Sequence, residues 1–299
     1  MNTTLYIVGN GFDLHHGLRS AYKHFGEFVK ANDSTLYGFI EDYFAVDTEF
    51  WSEFEARLAD FDAATLIEHA SNFLVPYSAE EWKDSFHHDY SFEIEQVVEG
   101  LSGRLKSNFA KWIRQLVTPD PTAVPDKLRL DTNATFLNFN YTPSLTGLYG
   151  IAPSQVIHIH GSVADPDDDL ILGHGWNPKE KGSSNDGLDL EQTDTRIADG
   201  NRIIDEYFKR TFKPTDRVIA AHQPFFEGLR EIRQIVVMGH SLADVDLPYF
   251  REIIRNAHTD RVHWQVSYYS KEDIPKLRQQ LDKLGVPAND VEFTQLASM

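Results

Sequence analysis

The sequence has no cysteine among its 299 residues, and basic residues are scarce relative to acidic ones. Without cysteine the chain can form neither a disulfide nor a cysteine-ligated zinc site, and it has no cysteine nucleophile. The 28 Lys and Arg residues face 46 Asp and Glu residues, which gives a formal net charge of −18. Because such an acidic surface repels nucleic acid, we predict no direct nucleic-acid binding.

Long apolar runs are lacking as well. No run reaches the roughly 18 apolar residues that a membrane-spanning helix needs. The N-terminus begins with an alternating, strand-like run and not with the basic and apolar segments of a signal peptide. We therefore expect a cytoplasmic protein with no membrane partner. Its hydrophobic content of 41% is enough for a sizeable core.

Short apolar segments that alternate with helical ones predict the fold class. Nearly continuous runs, such as residues 235–238 (IVVM), are typical of strands buried on both faces of a parallel sheet. We predict a single α/β domain over residues 1–299, with a mainly parallel sheet flanked by helices. The predicted strands are residues 5–8, 135–139, 156–159, 170–172, 235–238, 262–268 and 291–293.

Two long segments interrupt this alternation. Residues 31–132 show helical periodicity almost throughout, and because ordinary crossover connections are far shorter, we predict a large helical insertion there. Residues 164–215 are rich in Asp, Gly and Ser. That composition predicts an irregular loop, and we interpret it as a lid over a ligand cleft.

The first predicted strand ends in a glycine-rich turn, Gly9-Asn10-Gly11, followed by Phe12 and Asp13. Glycine lets the backbone approach a ligand, and the first turn of a helix can offer N–H groups to phosphate. The turn matches neither common nucleotide-binding pattern. An ordinary tight strand-to-helix turn is the alternative interpretation.

Two further strand ends carry amides and histidines. Asn138 and Asn140 share one face of their strand, although Asn140 could instead cap the next helix. His158 and His160 are also expected on one strand face. His160 is the better candidate for chemistry because Gly161 leaves space beyond it, and His158 is expected to support it.

The fourth strand end is Gly239-His240-Ser241, with Asp246 shortly after it. Asp246 could bind a ligand or simply cap the following helix. The carboxyl ends of parallel strands meet at one edge of a sheet, where α/β proteins bind ligands. Four polar turns that each follow an apolar strand therefore predict one common cleft.

In this order, the motifs resemble those of the AbiH family of bacteriophage abortive infection proteins. The resemblance covers roughly residues 5–250 and implies a role in phage defence. Its motifs are residues 9–14 (GNGFDL) with 17–18 (GL) and 22–25 (YKHF), 51–55 (WSEFE), 138–142 (NFNYT), 158–161 (HIHG), and 239–242 (GHSL) with Asp246.

A more distant resemblance is to SIR2-like domains, including NAD-cleaving members in phage defence. It implies a Rossmann-like fold and places Asn140, His160 and residues 239–241 at the positions of that group's motifs. Two features differ. Thr142 stands where the group has an acidic residue that contacts ribose, and the cysteines of the deacetylase zinc ribbon are absent.

These resemblances imply an NAD hydrolase in which His160 is the base and Asn140 orients the attacking water, with no metal required. The cofactor-binding residues would be Gly9, Asn10, Gly11, Phe12, Asp13, Gly239, His240, Ser241 and Asp246, with Asn138, His158 and Glu55 as possible additions. Two alternatives remain: a non-catalytic nucleotide-sensing or partner-binding module, and a metal-dependent phosphoesterase. A phage-derived or partner-protein trigger and a homo-oligomer are compatible with this interpretation.

Overall fold

The structure, a computed structural model, describes residues 3–122, 124, 127–180, 182–189, 191–257 and 262–299. The chain forms two compact units. Unit 1 comprises Met1–Ala21, Ala110–Ile171 and Pro214–Met299, and unit 2 comprises Tyr22–Phe109 and Leu172–Lys213.

Unit 1 contains a six-stranded sheet in the order β3-β2-β1-β4-β5-β6, in which all neighbouring strands are parallel. The α/β, Rossmann-like prediction is confirmed, and this strand order is that of dinucleotide-binding folds. The strands are β1 (Thr4–Val8), β2 (Thr135–Asn138), β3 (Val156–His158), β4 (Gln234–Met238), β5 (His263–Tyr268) and β6 (Val291–Gln295).

Both faces of the sheet are buried, which explains why β1 and β4 are almost continuously apolar. Successive side chains alternate between two core clusters. Leu5 and Ile7 of β1 belong to one cluster with Ile235 of β4. Tyr6 and Val8 belong to the other, on the opposite face.

Helices on both faces complete unit 1. The segment that follows β4 contains a helix that begins with Leu247-Pro248. Proline is favoured in the first turn of a helix, where its missing N–H group is not needed. The helices that lie wholly in this unit are α1 (Asn10–His15), α8 (Ser144–Tyr149), α10 (Thr215–Ala221), α11 (Gln223–Glu227), α12 (Leu247–Asn256) and α13 (Asp273–Lys283). None of the described helices of the chain has the length and apolar character needed to cross a membrane.

Unit 2 is built from helices. Its helices are α2 (Tyr22–Asn32), α3 (Ser34–Tyr43), α4 (Phe54–Arg57), α5 (Ala63–Ser71), α6 (Phe86–Glu99) and α9 (Thr195–Arg210), and the chain returns to unit 1 within α7 (Leu105–Arg114). A π-helical turn, Gly100–Arg104, joins α6 to α7. Gly100 lies against the ring of Phe39, where a Cβ would come within 2.6 Å of that ring.

Three segments differ from the sequence-based expectation. The helices of the predicted insertion begin at Tyr22, and the last of them ends at Arg114. Residues 170–172 do not join the sheet: the N–H of Ile171 donates to the carbonyl of His160, and its carbonyl accepts from the hydroxyl of Tyr141. Single hydrogen bonds therefore join this segment to its neighbours, in place of the hydrogen-bond ladder that a strand would form.

The segment 164–215, expected to be irregular, contains the 16-residue helix α9. Asp194 caps this helix by accepting a hydrogen bond from the N–H of Arg196. Packing explains the helix better than propensity does, because Gly200 lies where a Cβ would meet Tyr90 and Ile94 of α6 at 2.6 and 2.7 Å. Whether any of the segment acts as a lid stays a prediction.

Candidate functional site

All four polar segments follow the carboxyl ends of parallel strands in unit 1, so they lie at one edge of the sheet. From β1 the chain proceeds to β2 and β3 on one side, and from β4 to β5 and β6 on the other. The change of direction between β1 and β4 is the topological switch point, where open α/β sheets bind ligands. The predicted convergence at this edge is confirmed.

The glycine turn after β1 packs backbone to backbone against the turn after β4. A Cβ on Gly9 would come within 2.7 Å of His240, and one on Gly11 within 2.7 Å of Gly239. Gly239 has a φ of 65° and leaves only 2.2 Å between a Cβ and the backbone nitrogen of Phe12. These glycines are therefore required for close packing, independently of any ligand.

In this packing, the backbone N–H groups that were expected to bind phosphate donate hydrogen bonds to backbone carbonyl groups of the protein. Gly9 donates to the carbonyl of Met238 over 2.9 Å, and Gly11 donates to that of Gly239 over 2.7 Å. Phe12 donates to the carbonyl of Gly9 over 2.9 Å. The side chain of Asn10, whose Oδ1 accepts from Ser20, is thus the better-placed polar group for a phosphate at this turn.

An amide network connects β2, β3 and the glycine turn. Asn140 donates from Nδ2 to the carbonyl of Gly9 over 3.0 Å, and its backbone N–H donates to Oδ1 of Asn138, also over 3.0 Å. Asn140 is therefore not a helix cap, and its Oδ1 is the side-chain atom left as an acceptor for ligand or water.

His158 supports Asn140 through the backbone. Its Nδ1 lies 3.0 Å from the carbonyl of Asn140, so the hydrogen of the neutral ring is on Nδ1. Burial lowers the pKa of His158 below its usual range, partly offset by this hydrogen bond. The expected shared face with His160 is wrong, because β3 ends at His158 and the chain turns before Gly161, whose φ is 86°.

His160 belongs to a second cluster at the same edge. Its Nε2 faces Oδ1 of Asp246 at 3.6 Å, and Nε2 of His240 faces the other oxygen of that carboxylate at 3.5 Å. All three side chains are buried. The ring of Phe139 contacts both imidazoles, at centroid distances of 5.2 and 4.4 Å. Asp246 occupies the N-cap position of α12, but its side chain makes no cap hydrogen bond there, so capping does not explain this carboxylate.

Leu242 shapes the loop between His240 and Asp246. It is fully buried and has a φ of 54°, in the left-handed region that branched side chains rarely occupy. Such a conformation costs about 1–3 kcal/mol and is typical of functional sites. In this conformation the N–H of Leu242 donates to Nδ1 of His240 over 2.9 Å. The neighbouring Ser241 is exposed.

A buried carboxyl group lies beside this network. Oδ2 of Asp13 accepts a hydrogen bond from the hydroxyl of Thr142 over 2.5 Å, and that hydroxyl lies 3.0 Å from Ser144. Asp13 therefore places a carboxyl group directly beside Thr142. Burial raises the pKa of Asp13 to about 6, against the opposing effect of hydrogen bonds from Thr142, Ser144 and Asn140.

We expect Asp13→Asn to stabilise the protein at alkaline pH. The pKa of Asp13 rises from 3.8 to about 6 on folding, so the ionised carboxylate costs stability: the cost is absent below pH 3.8 and complete above pH 6. This pKa difference corresponds to about 3 kcal/mol of lost stability in the wild type above pH 6. In Asp13→Asn the side chain carries no charge, and its amide oxygen can still accept the hydrogen bond from Thr142.

Urea unfolding of the wild type and of Asp13→Asn at pH 4 and pH 8 measures the expected gain in the free energy of unfolding. It should appear at pH 8 and nearly vanish at pH 4, while the exposed control Asp167→Asn should change neither value by more than about 0.5 kcal/mol. A loss of stability at pH 8 would show that the ionised carboxylate is favourable in the fold.

Glu55, a predicted additional site residue, contacts Tyr22 and Lys213, which both belong to unit 2. It accepts a hydrogen bond from the Tyr22 hydroxyl over 2.5 Å and forms an ion pair with Lys213, whose side chain is fully buried. Helix α4 begins only at Phe54, so Trp51 lies outside the helix that carries Glu55. A role for Glu55 at a ligand site stays a prediction.

Sequence reasoning missed three residues that define these contacts. Thr142 was noted only for lacking a carboxylate, and Leu242 only as part of a motif. Lys213 carries no local signal at all. In the part of the chain that the structure describes, no group of three or more His, Asp or Glu side chains is arranged to hold a metal ion.

Comparison with known proteins identifies the family. No curated protein matches the sequence. The family model described as Bacteriophage abortive infection AbiH matches residues 5–268, which includes every motif of the resemblance and nearly the whole sheet edge described above. The resemblance is confirmed: the chain belongs to the AbiH family of bacteriophage abortive infection proteins.

Proposed function

We propose that this AbiH protein acts in abortive infection by binding NAD at the carboxyl edge of the unit 1 sheet and hydrolysing its nicotinamide–ribose bond. The observation that carries the proposal is the buried His160 imidazole facing the Asp246 carboxylate at 3.6 Å, at the ligand-binding edge of a sheet in dinucleotide-binding order. A histidine with a carboxylate partner is a common general base near neutral pH.

The arrangement supports a specific orientation of the substrate. The nicotinamide end would lie between Asn140 and His160, where neutral amide and imidazole groups do not repel a positively charged ring. The pyrophosphate would lie at the turn after β1 and contact the Asn10 side chain, since the Gly9 and Gly11 N–H groups already donate to carbonyls. Ribose hydroxyls would face the Asp13 carboxyl group.

The reaction requires little of the protein. The bond between the ribose C1′ and the nicotinamide nitrogen breaks, and its electron pair neutralises the pyridinium, so no acid is needed for the leaving group. Positive charge develops on the ribose, as in glycoside hydrolysis. Water adds to C1′ while His160 accepts its proton, and Oδ1 of Asn140 orients the water. The products are nicotinamide, ADP-ribose and a proton, which the imidazolium later releases.

The test is nicotinamide release from NAD by the purified full chain, alone and after addition of an extract of phage-infected cells. We expect release in at least the activated sample. NAD binding is measured in parallel by calorimetry. Binding without release in either sample would support the alternative of a nucleotide sensor, and neither binding nor release would reject the nucleotide site altogether.

A further inference from the structure

We infer that Asp246 is the positioning residue of this site: it holds His160 and His240 with hydrogen on Nε2, which leaves Nδ1 of His160 as the basic nitrogen. The inference deepens the proposed function and rests on it for its catalytic meaning. It assigns a defined atom of His160 to proton transfer, and it gives His240 and Asp246 roles other than contact with the nucleotide.

The protonation of His240 follows from the backbone of Leu242. An N–H group can donate only to a nitrogen that carries a lone pair, and the N–H of Leu242 points at Nδ1 of His240 over 2.9 Å. Neutral His240 must therefore carry its hydrogen on Nε2. That nitrogen faces Oδ2 of Asp246 at 3.5 Å.

The two oxygens of Asp246 divide between the two rings. Oδ2 faces His240, and Oδ1 faces Nε2 of His160 at 3.6 Å. A carboxylate only accepts hydrogen bonds, so it favours hydrogen on whichever ring nitrogen faces it. Both distances exceed those of formed hydrogen bonds, as is common for catalytic contacts before the substrate binds.

The surroundings keep this arrangement fixed. The Phe139 ring meets both imidazoles edge to face, with interplanar angles of 88° and 73°. Tyr249 packs on His160, and Phe250 packs on His240. Rings held on several sides by aromatic neighbours cannot flip freely to exchange their nitrogens. This packing keeps Nε2 of His160 towards Asp246.

The consequence is a defined proton path. Nδ1 of His160 takes the proton from the attacking water, and the resulting imidazolium keeps its Nε2–H towards Asp246, whose negative charge stabilises it. His240 does not accept this proton in our scheme. It occupies the second carboxylate oxygen and so keeps Asp246 directed at His160.

The test is nitrogen NMR of the full chain without ligand, labelled with ¹⁵N at histidine, which distinguishes the two tautomers of each ring. The resonances of the two residues are assigned by comparison with His160→Gln and His240→Gln. In the wild type we expect both residues to carry hydrogen mainly on Nε2. In Asp246→Asn, the amide can donate to Nε2 of His160, so His160 should shift towards the Nδ1–H form. His240 should not shift, because the N–H of Leu242 still requires a lone pair at Nδ1.

Asp244→Asn is the matched control, since Asp244 lies in the same turn with an exposed side chain that pairs with Lys283. It should leave both tautomers unchanged. A wild type with His160 mainly in the Nδ1–H form, or a His160 signal that Asp246→Asn leaves unchanged, would overturn the inference.

Kinetics separates this inference from the proposed function. With NAD as substrate, Asp246→Asn should lower kcat by about 10²- to 10⁴-fold and change KM much less, as expected when a base is held in the wrong tautomer. The predicted tautomers in a protein that never releases nicotinamide would reject the NAD reaction and leave the positioning role of Asp246 intact.

Discussion

Lys213→Met is expected to lower the free energy of unfolding by about 3–5 kcal/mol. The Lys213 side chain is fully buried, and that of its partner Glu55 is 12% exposed. Removing the cation leaves a carboxylate in a medium of low polarity with its charge no longer balanced by lysine. The hydrogen bond from Tyr22 offsets only part of this cost. Urea denaturation of the full chain measures the change.

The double variant Lys213→Met/Glu55→Gln makes the prediction specific. A neutral amide can still accept from Tyr22, so the double variant should recover most of the lost stability. The exposed pair Arg202–Asp199 in unit 2 provides the matched control, and Arg202→Met should change stability by less than about 1 kcal/mol. If Lys213→Met behaves like Arg202→Met, the buried pair does not stabilise unit 2.

His160→Ala is expected to lower the rate of nicotinamide release by about 10²- to 10⁴-fold, because a positioned general base contributes an effect of this size. Asn140→Ala should lower kcat comparably and keep most of the affinity for NAD, since an amide that orients water acts mainly in the transition state. Both rates are measured on activated protein with saturating NAD.

His263→Ala is the matched control for His160→Ala. His263 lies in β5 of the same sheet, is about half exposed, and faces Glu292 at 3.6 Å, so it also pairs with a carboxylate. Its replacement should leave the rate unchanged, because His263 is the first residue of β5 and so lies at the opposite edge of the parallel sheet from the site. Circular dichroism must show that every variant is folded. A folded His160→Ala protein with the wild-type rate would remove His160 as the base.

The edge of the sheet could be predicted because local sequence determines it. Apolar runs such as residues 235–238 are required wherever a strand is buried on both faces, and a glycine or amide directly after each run marks its carboxyl end. The carboxyl ends of parallel strands all lie at one edge of the sheet. A polar turn that directly follows each strand in the sequence is therefore predicted to lie at that edge with the others.

The contacts within the site could not be predicted in the same way. Asp246 meets His160 and His240, two residues that lie on different turns of the sheet edge, and Leu242 between His240 and Asp246 has a left-handed conformation that no pattern of leucine in a sequence indicates. Glu55 and Lys213 are separated by 158 residues and meet only through tertiary packing. Helix α9 contains Gly200 and two Asp residues, which favour loops, and it forms because it packs on α6.

The central claim is that His160-dependent cleavage of NAD is the means of abortive infection. The most direct measurement is the NAD content of phage-infected bacteria that express either the wild-type chain or His160→Ala at equal levels. We predict that NAD falls and nicotinamide rises after infection with the wild-type chain, and that neither changes with His160→Ala, which also fails to abort infection. Infection aborted by the wild-type chain at constant NAD would contradict the claim.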